Sequence, residues 1–257
     1  MNTNAIIQPI NKCIIMNYFK PLFYLIVICL CSSCQFGQKN AEKYNELGLE
    51  YAQSENYEKA IENFKKAISI DPNDNVAYND LGNVYYDLEN YEQAIENYKK
   101  ALNIDSNCAE VYYNLGNVYY DLEKYELAID NLKKAISIDH NYAKAYNNLG
   151  FVYYKLENYK QAIENYNKAL NIDPNDAKTY YNLGVVYRKL KNYEQAIENY
   201  NKAISIDPND AKAYYNLGIV YSELGNKEQD IENTKKAAKL GHKKAQEYLQ
   251  NIGESWE

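Results

Sequence analysis

The sequence predicts an all-α fold, a solenoid of stacked antiparallel helix pairs, and three observations predict it. From Ala41 to Lys244 the chain repeats every 34 residues, six times in register. A fixed period of roughly 20–50 residues marks a solenoid, and this one matches a helix–turn–helix unit. Counting Ala41 as position 1, position 7 is always Leu, and position 8 is Gly48, Gly82, Gly116, Gly150, Gly184 and Gly218. Within a unit, apolar residues fall at helical spacing on two faces: Tyr78, Leu81 and Tyr85 on one, Ala94, Ile95, Tyr98 and Ala101 on the other.

The chain opens differently. Residues 1–34 contain no Asp or Glu, and a run of 11 mostly apolar residues spans Pro21 to Cys31. A membrane-spanning helix needs about 20 such residues, whereas about 7–15 suit the apolar centre of a secretory signal. Lys20 supplies the positive flank, and Ser32-Ser33-Cys34 follows. This arrangement resembles a bacterial lipoprotein signal, which implies Cys34 as the lipid attachment site and new N-terminus. The residue three before that cysteine, usually Leu in such signals, is Cys31. Met16-Asn-Tyr-Phe-Lys20 would open a signal of normal length, so Met16 is an alternative start. The other reading is an N-terminal segment with incidental cysteines. Residues 35–40 then form a polar tether.

In each unit (41–74, 75–108, 109–142, 143–176, 177–210, 211–244) the first helix carries the Leu-Gly pair. Small Gly82 against small Ala94 would let the two helices approach closely. Asn56, Asn90, Asn158 and Asn192 precede second helices and can cap them, with Gln93, Gln161 and Gln195 three residues later as capping-box partners. Asp-Pro-Asn-Asp closes three units, where Pro stops one helix and Asp caps the next. Tyr is abundant, 30 residues against 5 Phe, and its recurrence at positions 4, 11, 17 and 24 assigns most of it to packing. In the last unit Lys227, Asp230 and Thr234 replace the usual Tyr, Ala and Tyr, giving a more polar second helix. Ala245, Tyr248, Leu249 and Ile252 recur at helical spacing, so the segment 245–257 reads as a capping helix and tail.

Composition excludes several functions. All 35 acidic residues lie beyond the leader, against 26 of the 28 basic ones, which disfavours a nucleic-acid partner. Only Cys108 lies in the body, and His140 and His242 are far apart, so no metal site or disulfide framework is expected. No Ser-His-Asp, Cys-His or clustered-carboxylate arrangement and no phosphate-binding loop occurs. Neither an enzyme, a cofactor nor a small-molecule substrate is expected.

The Leu-Gly, Ala and Pro positions at a 34-residue period closely resemble the tetratricopeptide repeat family over about four-fifths of the chain. The resemblance implies a right-handed superhelical solenoid (an α-α superhelix) whose first helices line a concave groove through positions 2, 5, 6, 9, 12 and 13. It implies a non-enzymatic protein–protein interaction scaffold that binds a peptide segment or helix of a partner.

Here the groove positions divide by charge. Glu42, Glu46, Asp80, Asp87, Glu110 and Asp121 stand in units one to three. Lys144, Lys155, Lys178, Arg188, Lys189 and Lys212 stand in units four to six, with Glu223 the acidic exception. The candidate partner-binding residues are Asn83, Tyr86, Tyr113, Asn114, Asn117, Tyr120, Lys144, Asn148, Phe151, Tyr154, Lys178, Tyr181, Asn182, Val185, Arg188, Lys212, Tyr215, Asn216 and Ile219. Amides can pair with an extended peptide's backbone, and Tyr supplies rigid contact area. Position 5 is never Lys and position 6 never Arg, so the family's clamp for chaperone C-terminal tails is incomplete and such tails are not expected ligands. The leader and the groove together predict a scaffold lipid-anchored in the bacterial envelope, binding an envelope protein. The alternative is a cytoplasmic assembly adaptor without an anchor.

Overall fold

A computed structural model describes residues 39–256. The leader, Met16 and the expected lipid attachment site Cys34 lie outside the described residues. Those residues form thirteen helices and no strand, the all-α architecture of stacked helix pairs that the period predicts. The chain divides into two compact units between Ile104 and Asp105.

In the first unit, α1 (39–53) pairs with α2 (Tyr57–Ile70), and α3 (Asn75–Asp87) with α4 (Tyr91–Ile104). Helix α1 includes Lys39 and Asn40, the last two residues of the expected tether, and residues 35–38 lie outside the described residues. The second unit holds α5 (Ala109–Asp121), α6 (Tyr125–Ile138), α7 (Ala143–Lys155), α8 (Tyr159–Ile172), α9 (Ala177–Lys189), α10 (Tyr193–Ile206), α11 (Ala211–Glu223), α12 (Lys227–Lys239) and α13 (Lys243–Asn251). Within it each helix packs on the next, and the first helices α5, α7, α9 and α11 also touch in succession.

Close packing of the pairs rests on position 8, which meets the position-24 side chain and, as at Gly150 with the Ala162 carbonyl oxygen 3.2 Å from a built Cβ, the backbone of position 20. A Cβ on Gly82 would lie 2.6 Å from Cε1 of Tyr98, and one on Gly184 would lie 2.6 Å from Cε1 of Tyr200. The glycine therefore makes room for the position-24 side chain, while Ala94 and Ala196 are fully buried one turn earlier. Tyr98, Tyr166 and Tyr200 at that position are the largest buried side chains. The other recurring tyrosines, Tyr85 apart, are half-buried. At position 4, Tyr44, Tyr78, Tyr146, Tyr180 and Tyr214 each carry a Lys ammonium 5.6–6.0 Å from the ring centre. Each of those lysines is held by a Glu one turn earlier at 2.6–2.9 Å.

The turns explain the helix boundaries. Asn56, Asn90, Asn158, Asn192 and Asn226 each accept the backbone N–H three residues on. The reciprocal half of the capping box is absent at Gln161 and Gln195, which donate to Glu164 and Glu198 instead. The cause is visible in the backbone. The Asn158 and Asn192 N–H groups already bond to the Tyr153 and Tyr187 carbonyls, both at 2.9 Å, so no donor is left for the glutamine. Asp74, Asp176 and Asp210 cap α3, α9 and α11 as expected. Asp230 and Thr234 do not form a polar outer face. They are 4% and 1% exposed, and Asp230 accepts from the hydroxyls of Thr234 and of Tyr248 on α13.

Candidate functional site

In the second unit the first-helix face brings most of the expected residues together. Asn148 on α7 donates from Nδ2 to the Tyr113 hydroxyl at 3.1 Å and to Asn117 Oδ1 at 2.7 Å, both on α5. Asn216 on α11 repeats the tyrosine contact toward α9, donating to the Tyr181 hydroxyl at 3.2 Å, and gives its second bond to the Lys212 carbonyl of its own helix at 2.9 Å. Each amide nitrogen thus gives one hydrogen bond to a tyrosine one repeat earlier and a second to Asn117 Oδ1 or the Lys212 carbonyl, and the amide oxygen can act only as an acceptor. Aromatic contacts continue the row. Phe151 lies 5.3 Å from Tyr120 and 6.2 Å from Tyr154, centre to centre. Phe151 and Tyr154 pack on the core around Tyr166, and Tyr181 and Val185 on that around Tyr200. Asn114, Asn182 and Ile219 lie half-buried on the same helices.

Lys144, Lys178 and Lys212 are exposed and make no ion pair among the described residues. They rim two clefts. One, of about 350 Å³, is lined by Tyr113, Lys144, Asn148, Asp173, Asp176 and Lys178. The other, of about 550 Å³, is lined by Lys178, Tyr181, Asn182, Asp207, Asp210 and Lys212. The aspartates are already committed to backbone N–H groups: Asp173 to Asn175, Asp176 to Lys178, Asp207 to Asn209, Asp210 to Lys212 and Ala213. Arg188 departs from the expected basic strip. Its Nη1 lies 3.5 Å from Glu223 Oε1, so the one acidic exception in these repeats offsets it.

Other expected groove positions turn inward. Asn147 is 5% exposed and donates to the Thr179 hydroxyl, because a short amide on this helix reaches the next repeat's core. In the first unit, Asn83 accepts from the buried Tyr98 hydroxyl at 2.7 Å, and Tyr86 lies 6.0 Å from Tyr91. Two neighbours of the face were not anticipated. Tyr142 lies 5.1 Å from Tyr113, and burial pushes its phenol well above the usual range, with Glu110 adding to the effect. It occupies the position where three other repeats have the capping Asp, a departure readable from sequence. His242 stacks on Tyr215 at 4.3 Å and caps α13 through Nδ1.

Among the described residues no group of His, Cys, Asp and Glu is placed to hold a metal ion, and no helix is long and apolar enough to cross a membrane.

Comparison with known proteins agrees with the architecture. Tetratricopeptide repeat models match residues 107–175, 141–209 and 175–237, and TPR repeat models match residues 48–88 and 82–123. No curated protein sequence matches. Among solved structures, PilF of Pseudomonas aeruginosa is 25% identical with a TM-score of 0.73, covering 84% of this chain and 99% of its own. YrrB, described as a TPR protein with an unusual peptide-binding site, is 30% identical with a TM-score of 0.59, covering 73% and 97%. MamA is 33% identical with a TM-score of 0.59, covering 65% and 97%. With helix pairs, capped turns and recurring Leu-Gly pairs all in one 34-residue frame, this chain belongs to the tetratricopeptide repeat family, whose fold serves as a protein–protein interaction scaffold.

Proposed function

We propose that the second unit binds an extended segment of a partner protein along the first-helix face of α5, α7, α9 and α11, with no catalytic step. The observation that carries this reading is the repeated phenol–amide contact, Asn148 to Tyr113 and Asn216 to Tyr181. It fixes aromatic surfaces in advance, so little side-chain freedom is lost on binding. It also leaves amide oxygens free to accept a peptide's backbone N–H groups. The likeness to YrrB, a protein described as having a peptide-binding site, supports the same class of ligand. A photoreactive residue in place of Val185 should crosslink a partner in native cells, and one in place of Lys202 on the outer helix α10 should not. Equal capture from both positions would rule the face out.

The partner belongs to the cell envelope on this reading, with the scaffold held there by lipid on Cys34. The short apolar run before Ser32-Ser33-Cys34 supports it. A palmitate analogue should label the wild type and not Cys34→Ala; equal labelling of both removes the anchor.

A further inference from the structure

The first unit holds a cleft of about 460 Å³ whose chemistry is opposite to that of the second unit's clefts. Glu42, Asn45 and Glu46 of α1 form one wall, and Asp71 and Asp74 in the turn before α3 form the other. Among the described residues no Lys, Arg or His lines it. At the same place in the repeat, the clefts of the second unit set Lys144 and Lys178, or Lys178 and Lys212, against their aspartates.

Asp71 and Asp74 are committed to the backbone, accepting from Asn73 and from Val76 and Ala77 at 3.0 Å. Glu42 and Glu46 are exposed, one helical turn apart, and make no ion pair among the described residues. Like charges at that spacing repel. Asn45 lies between them, 9% exposed. Its Nδ2 donates to Asp80 Oδ2 at 3.0 Å, which fixes the orientation of the amide. Its Oδ1 is therefore a defined acceptor, and it is buried with no hydrogen-bond partner among the described residues. Such an orphan in a native fold calls for a missing donor.

A donor that satisfies a carbonyl oxygen between two unneutralised carboxylates is cationic. We propose that this cleft is a socket for an arginine side chain of a partner protein, independent of the peptide face on the second unit. The guanidinium offers five N–H donors in a planar fork, enough to serve Asn45 Oδ1 and both glutamates together. A divalent metal fits less well. It needs six or more oxygens converging at about 2.0–2.6 Å, and the carboxylates are not grouped for that.

The test is an NMR titration of the full isotope-labelled chain with the peptide acetyl-Gly-Gly-Arg-Gly-Gly-amide. Saturable shifts should appear in the Asn45 side-chain amide and in backbone amides of residues 42–46 and 73–77. The paired change Glu42→Gln and Glu46→Gln should weaken binding by about tenfold, while Glu58→Gln with Glu92→Gln, an equal charge loss elsewhere, should not. The citrulline peptide, isosteric but uncharged, should not bind. Should circular dichroism show α1 lost in the double variant, Glu46→Gln alone carries the comparison, with weaker binding again expected. Equal binding of the citrulline peptide, no effect of the glutamate changes, shifts spread over the whole acidic surface, or saturation by calcium chloride at lower concentration would each overturn the socket.

Discussion

At position 24 one side chain type meets two environments. The Tyr98 hydroxyl donates to Asn83 Oδ1 at 2.7 Å, whereas the Tyr200 hydroxyl is buried beside the Arg188 guanidinium and makes no full hydrogen bond among the described residues. Burial pushes the Tyr200 phenol upward in pKa, and the nearby Arg188 guanidinium only partly opposes this. A net hydrogen bond contributes about 0.5–1.5 kcal/mol, while an unsatisfied buried hydroxyl contributes nothing favourable. Tyr98→Phe should therefore cost about 1 kcal/mol in urea unfolding, and Tyr200→Phe should be neutral or slightly stabilising. Equal losses from the two would show that the rings alone matter. The sequence makes the packing role of these rings plain, through their spacing from glycine and alanine. It hides the fate of the hydroxyls, because that depends on residues distant in the repeat: Asn83 fifteen residues before Tyr98, and Arg188 standing where three other repeats have Tyr. The buried Asn45 and Asn147 were hidden likewise, since an amide on a first helix looks solvent-facing until the next repeat's core is beside it.

Between paired helices, each turn combines an end and a start in three residues. The position-15 N–H bonds back to position 12 and the position-16 N–H to position 11, as at Glu89 to Tyr86 and Asn90 to Tyr85, both at 2.8 Å. This is a Schellman closure, and its last residue then caps the following helix. The Asn caps were legible; the left-handed residue at position 15 was not. That residue is Glu55, Glu89, Glu123, Glu157 or Lys191, with φ of 56–58°, and Gly only at Gly225. Glycine is the usual signal for such a backbone, so the closure had no marker in five repeats. The final closure, at Gly241, leads into His242, whose Nδ1 accepts the Ala245 N–H at 3.2 Å. Only a neutral imidazole can accept there. Burial against Tyr215, then Lys244 and Lys212, lowers the His242 pKa, and Asp210 only partly opposes them. A histidine with a lowered folded-state pKa leaves the unfolded chain holding more protons just below its ordinary value. Its contribution is thus full above about pH 6.5 and shrinks as the pH falls toward the folded-state value. Amide protection in α13 should drop between pH 7.5 and 5 in hydrogen exchange, and His242→Asn, which caps without titrating, should abolish the change. A drop that persists in His242→Asn would assign the pH response to another group.

Across the whole molecule, charge is the property that most separates the two units as ligand surfaces. The second unit exposes Lys144, Lys178 and Lys212 once per repeat on successive first helices, none ion-paired among the described residues. Their neighbouring aspartates already serve backbone N–H groups. Successive packed helices lie about 8–10 Å apart, so the three ammonium groups meet an extended chain, at about 3.3 Å per residue, every third residue. A partner segment with acidic residues at that interval would engage all three. Each exposed pair is worth only about 0–1 kcal/mol, and at physiological ionic strength screening acts over about 8 Å. The lysines should therefore act as a set and weaken with salt, while Tyr181, Tyr215, Val185 and Ile219 supply contact that salt does not screen. Replacing all three lysines by Glu should lower affinity for such a segment by about tenfold or more at low salt. It should also flatten the salt dependence, with helical content unchanged by circular dichroism. Replacing Glu42 and Glu46 should leave that affinity unchanged. If the lysine variant binds as tightly as the wild type at low salt, the segment lies elsewhere than on the first helices of the second unit.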